Sequence, residues 1–131
     1  MTRSEIMSRI KSRDTKPELR MLSLLRRRGL RPKTQDRLRP GRPDFSFPRE
    51  RVAVFVDGRF WHGGRAFPKT NRAFWLPKLR ETMRRDRRND WALRAMGWSV
   101  VRIWEDDDLP LAADDVAYEV VVRRAIAGRA A

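Results

Sequence analysis

Apolar residues recur at two spacings along this chain, and the switches between them predict its architecture. Leu19, Leu22 and Leu25 return every three residues behind Thr15-Lys16-Pro17-Glu18, a capping-box string with proline in the first turn. Gly29 follows them, so this stretch predicts a helix from Thr15 to Gly29. Strands are expected from Asp44 to Phe47 and from Val52 to Asp57, joined by a turn at Pro48-Arg49-Glu50-Arg51. The unbroken run Val52-Ala53-Val54-Phe55-Val56 reads as a buried strand.

Phe74 to Met96 returns to helical spacing. Its inward stripe is Trp75, Leu79, Met83, Asp86, Asp90 and Leu93, with Pro77 expected in the first turn and Gly97 closing the helix. Trp98 to Trp104 predicts a further strand, Glu105 to Pro110 an acidic turn, and Ala112 to Ala127 a terminal helix. Ile6, Met7 and Ile10 make residues 1–13 a short amphipathic helix or arm. Arg31 to Arg42 reads as a basic connection with a strand or extended loop around Pro32 to Gln35, and Gly63 to Arg72 as a glycine-rich basic loop. The order helix, strands, long helix, strand, helix predicts one α/β domain over residues 1–131, a small mixed sheet flanked by helices.

Charge narrows the partner. Lys+Arg number 31 against 17 Asp+Glu, a net charge of +14, which points first to nucleic acid. The excess is uneven: residues 1–104 carry +18 and residues 105–131 carry −4. A basic body would bind phosphate while the acidic tail stays off it. The absence of cysteine excludes disulfides and thiolate zinc sites. No apolar run approaches the roughly 20 residues of a membrane span and no signal-peptide core follows Met1, so a cytoplasmic protein without membrane attachment is expected.

The candidate chemistry gathers between Gly41 and Gly64. Asp44 and Asp57 sit on neighbouring predicted strands, where two hard oxygen donors suit Mg²⁺, and Arg59 follows two residues after the second carboxylate. This layout resembles the PD…(D/E)xK pattern of restriction-endonuclease-like nucleases, with Arg59 in place of lysine. Turn chemistry explains the same residues, because Pro-Asp and Asp-Gly are good turn dipeptides. His62, the single histidine, has a pKa suited to a general base. Asp86 lies on the apolar stripe with no cation at helical neighbour positions, so it needs a partner from elsewhere. That partner is either His62, which the pair would orient, or an arginine from another element. Glu18 is accounted for by the capping box and is also available as an acid near the site. Phe60, Trp61, Phe74 and Trp75 flank a basic glycine-rich loop and could wedge between base pairs or pack in the core; Trp91, Trp98 and Trp104 are taken as core.

The strings MSRIKSRDTKPE, GRPDF, VFVDGRFWHG, KTNRAFW, RRDRR and GWSVVRIWE together resemble, over residues 4 to about 106, the very-short-patch-repair (Vsr-type) DNA mismatch endonucleases. The resemblance implies a restriction-endonuclease-like fold and Mg²⁺-dependent nicking of one strand of double-stranded DNA beside a T:G mismatch, by a monomer. By position it makes Asp44 the metal-binding aspartate, with the main-chain carbonyl of Val56 as a second ligand. His62 becomes the general base, Asp86 its acidic partner and Glu18 the glutamate near the site. Phe60, Trp61 and Trp75 match the intercalating aromatics and Met7 an N-terminal residue entering from the other groove.

Two departures from the family stand out. Its best-known members hold a structural zinc, and at those positions this chain reads Arg59, Gly64 and Asp106, so zinc is not expected and an Arg59–Asp106 ion pair is the expected brace. Asp57 occupies a position that is histidine in the best-known member, which offers a further carboxylate ligand. Two rivals stay open: an endonuclease of broader or different specificity, and a DNA-binding module that no longer turns over.

Overall fold

The computed structural model describes residues 15–58 and 71–130, with side chains through residue 128. Expectations for residues 1–13 and most of the Gly63 to Arg72 loop lie outside the described residues. The elements run α1 (Lys16–Arg27), β1 (Lys33–Thr34), β2 (Phe45–Phe47), β3 (Val52–Asp57), α2 (Arg72–Ala95), β4 (Ser99–Trp104) and α3 (Leu109–Ala130).

Local chemistry sets the helix ends. Thr15 Oγ1 accepts the Glu18 N–H at 3.4 Å, and Pro17 fills a first-turn position whose N–H would have no helical partner. At the far end Gly29, at φ +77°, lets its own N–H reach the Arg26 carbonyl and the Leu30 N–H reach that of Leu25. These are the paired bonds of a Schellman close. Gly97, at φ +83°, ends α2 in the same way, with the Trp98 N–H on the Leu93 carbonyl.

The strands form one sheet in the order β1-β2-β3-β4, antiparallel from β1 to β3 and parallel between β3 and β4. Phe45 pairs with Val54, and Asp57 with Trp104. Strand alternation then sorts the side chains into two cores. Phe45, Phe47, Val52, Val54 and Ile103 meet Met21, Leu24 and Leu25 of α1 and Leu109, Ala113, Val116 and Val120 of α3. Ala53 and Phe55 meet Leu93 of α2 and Trp98 on the opposite face. The result is a small mixed sheet between helices, as expected. Its α2 side turns Arg80, Arg84, Arg85, Arg87, Arg88 and Arg94 outward, all exposed.

Three details differ from expectation. α2 begins at Arg72, so Pro77 is its sixth residue and lies inside the helix rather than in the first turn; a proline there has no N–H for the carbonyl four residues back, that of Ala73. α3 begins at Leu109, three residues early, because Asp108 caps it: Asp108 Oδ1 accepts the Leu111 N–H at 3.0 Å, and Pro110 falls in the first turn. Trp91, taken as core, is 75% exposed. Trp98 is buried as expected and Trp104 is half-buried.

Candidate active site

The end of the sheet at which β2 begins and β3 finishes carries the acidic residues. Asp44 stands one residue before β2. Its Oδ2 accepts the Val56 N–H at 2.7 Å and its Oδ1 accepts from Gln35 Nε2 at 3.3 Å. The same nitrogen donates to Glu18 Oε2 at 3.3 Å, so the two carboxylate oxygens lie within twice that distance of each other. Glu18 is 7% exposed and Asp44 half-buried. The first turn of α1, the β1–β2 connection and the ends of β2 and β3 thus converge on one acidic cluster.

Proline at 43 shapes what this cluster offers. The β2–β3 register, continued two residues past Phe45 and Val54, sets Pro43 opposite Val56. Proline has no N–H to give the Val56 carbonyl, and the Pro43 carbonyl is taken by the Asp36 N–H at 3.0 Å. Within a strand a residue's N–H and C=O point the same way, so the Val56 carbonyl faces the Asp44 side, to which its N–H already donates. A carboxylate beside a main-chain carbonyl that Pro43 cannot cap is a hard-oxygen donor set, which fits a small divalent cation. Among the described residues no three His, Cys, Asp or Glu side chains gather as a ready-made metal cage, so the carbonyl counts.

Asp57, next along β3, points to the opposite face of the sheet, where Arg102 of β4 collects three carboxylates. Arg102 Nη1 donates to Asp57 Oδ2 at 2.8 Å. Nη2 donates to Asp90 Oδ1 at 2.6 Å while Nε shares both Asp90 oxygens, at 3.1 and 3.0 Å. Asp86 Oδ1 lies 3.7 Å from Nη2, close enough for an ion pair. The guanidinium also rests 4.1 Å from the centre of the Phe55 ring. Burial works against its charge, but Asp90, Asp57 and Asp86 outweigh burial and raise the Arg102 pKa, so this cation stays charged at any working pH. A cavity of about 240 Å³ opens beside the cluster, lined in part by Met83, Arg87 and Trp104.

Of the residues singled out in the sequence, Asp44, Val56 and Glu18 come together, while Asp57 and Asp86 meet at Arg102. Trp75 lies half-buried on α2, edge-on to Phe74 with ring centres 4.8 Å apart, and Lys78 Nζ sits 4.3 Å from the Phe74 ring. His62, Arg59, Phe60, Trp61 and Met7 lie outside the described residues, and with them the Arg59–Asp106 brace and the His62–Asp86 pair. Asp86 does meet an arginine from another element, the second of its two expected partners. Gln35 and Arg102 were not singled out; a glutamine in a basic loop and an arginine in an apolar strand leave no local signal of the partners they find.

An acidic hard-oxygen site on an arginine-rich body agrees with what the chain is similar to. A Type II nicking enzyme of Neisseria meningitidis serogroup C is 42% identical over 110 residues, 80% of this chain and 74% of that protein. The DNA mismatch endonuclease Vsr of Escherichia coli K12 is 42% identical over 108 residues, 79% of this chain and 69% of its own length. A Type II nicking enzyme of Haemophilus parainfluenzae is 40% identical over 104 residues, 76% of this chain and 74% of its own. Each of the three is named as a nicking enzyme or an endonuclease, which sets the class. Residues 1–67 match the family described as DNA mismatch endonuclease Vsr, and the chain belongs to that family.

Proposed function

We propose that this protein is a Mg²⁺-dependent DNA endonuclease that nicks one strand beside a T:G mismatch during repair. The observation that carries the reading is the Asp44 cluster: a carboxylate fixed by the Val56 N–H and by Gln35, next to a carbonyl that Pro43 cannot cap and close to Glu18. Asp44 and the Val56 carbonyl would hold the cation, which when bound polarises the scissile phosphate and stabilises the leaving oxygen. Glu18 would take a water or hydroxyl within this shell.

His62 would accept the proton of the attacking water, with Asp86 holding its ring in the productive orientation. Arg102 lies beside Asp86 and limits where its carboxylate can swing, and Asp57, expected as a further metal ligand, ties β3 to the same guanidinium. Phe60, Trp61, Trp75 and Met7 would enter the duplex at the mismatch, and the exposed arginines of α2 would hold its backbone.

The test is cleavage of end-labelled duplexes, one with a central T:G and one fully paired, in Mg²⁺ or EDTA, by wild type, Asp44→Ala and His62→Ala. Nicking confined to the mismatch and lost in EDTA and in both variants is the expected result. Equal cutting of both duplexes would move the protein to a broader specificity. Tight binding without any cut would make it a DNA-binding module.

A further inference from the structure

We propose that Gln35 is a positioning residue that presets Asp44 and Glu18 for the divalent cation; the proposal rests on the reading of Asp44 as its ligand. Two independent observations support it. Gln35 grips Asp44 twice, its N–H on the Asp44 carbonyl at 3.0 Å and its Nε2 on Asp44 Oδ1, while the same Nε2 reaches Glu18 Oε2. It does so from φ +49°, a left-handed backbone that a residue with a side chain adopts at a cost.

The chemistry of the group matters as much as its place. A lysine between the two carboxylates would fix them by neutralising them, and would compete with the cation for the same charge. A primary amide donates two N–H bonds and carries no net charge. It therefore fixes the geometry of both carboxylates without bringing a positive charge that would compete with Mg²⁺. Asp44 keeps lone pairs to spare, since each carboxylate oxygen accepts more than one partner.

Two variants separate this role from a merely structural one. Gln35→Gly removes the amide and relieves the left-handed strain; Gln35→Met removes both donors at nearly the same volume and keeps the strain. The positioning role predicts that their melting temperatures move apart, Gly above Met, while their metal dependence moves together. Binding of Mn²⁺ alone to the DNA-free protein, by calorimetry, should weaken about 10- to 100-fold in both. The Mg²⁺ concentration for half-maximal nicking should rise in parallel, with nicking at saturating Mg²⁺ recovered in large part. Metal binding and Mg²⁺ dependence equal to wild type in either folded variant would overturn the proposal. Wild type and Asp44→Ala binding Mn²⁺ equally well would instead overturn the reading of Asp44 itself.

Discussion

Asp36 is fully buried, and its carboxyl is nonetheless held below the ordinary carboxylate range. Burial alone would raise its pKa; the Ser46 hydroxyl at 2.7 Å, the Leu38 N–H at 3.0 Å and the charges of Lys33 and Arg39 more than reverse that. Through these bonds it ties the β1–β2 connection to β2, one step from Gln35 and Asp44. Because the folded carboxyl titrates lower than the unfolded one, the unfolded chain binds the proton first. The stability that Asp36 contributes is therefore complete at neutral pH and drains away as pH falls through and below the ordinary carboxylate range. Asp36→Asn should cost about 1–3 kcal/mol in urea unfolding at pH 7, since an amide must present a donor where the carboxylate accepted. The variant should also lose part of the wild type's decline in stability at acid pH. A variant as stable as wild type at pH 7 would show that the buried charge contributes nothing.

Among the elements, α2 and β4 carry the most consequence. Pro77 leaves the Ala73 carbonyl without its helical donor, so Pro77→Ala should restore that bond and raise stability, by up to about 3 kcal/mol, read as a higher melting temperature. No gain would mean that the first turns of α2 are set by packing. Arg102 joins β4 to both β3 and α2, and Arg102→Met would leave Asp57, Asp86 and Asp90 without their common cation. The expected loss is on the order of 3–5 kcal/mol in chemical denaturation. Element ends were readable wherever a cap is local: Thr15, Gly29 and Gly97 sit within a few residues of the bonds they make. The run Val52 to Val56 was readable because a strand covered on both faces needs no alternation. Arg102 was not, because its partners lie 12 and 45 residues away. Trp91 misled for a related reason: an aromatic near an apolar stripe says nothing about which way its turn of helix faces.

For the whole molecule, composition and fold agree on a polyanionic partner. Duplex binding should weaken steeply with salt, log K falling against log salt with a slope of about −0.9 per phosphate neutralised, measured by fluorescence anisotropy in EDTA so that binding is read without cleavage. Replacing Arg84 and Arg88 on α2 with alanine should make that slope shallower by about one unit per lost contact. An unchanged slope would place the duplex on another face. At this scale the fold class was readable from the order of spacings, and the acidic residues of the site from a few strings. Their grouping into two clusters, one on each side of the β3 end, was not. That grouping depends on adjacent residues of a strand pointing opposite ways, and Val56 and Asp57 divide the two clusters between them.

The two faces of the sheet are basic to different degrees. α2 carries eight basic and three acidic residues, whereas α3, which shares the other face with α1, carries three of each. Near a polyanion an uneven body feels a torque as well as a pull. It should arrive at the duplex turned by that excess, so that fewer collisions are spent on the α3 surface.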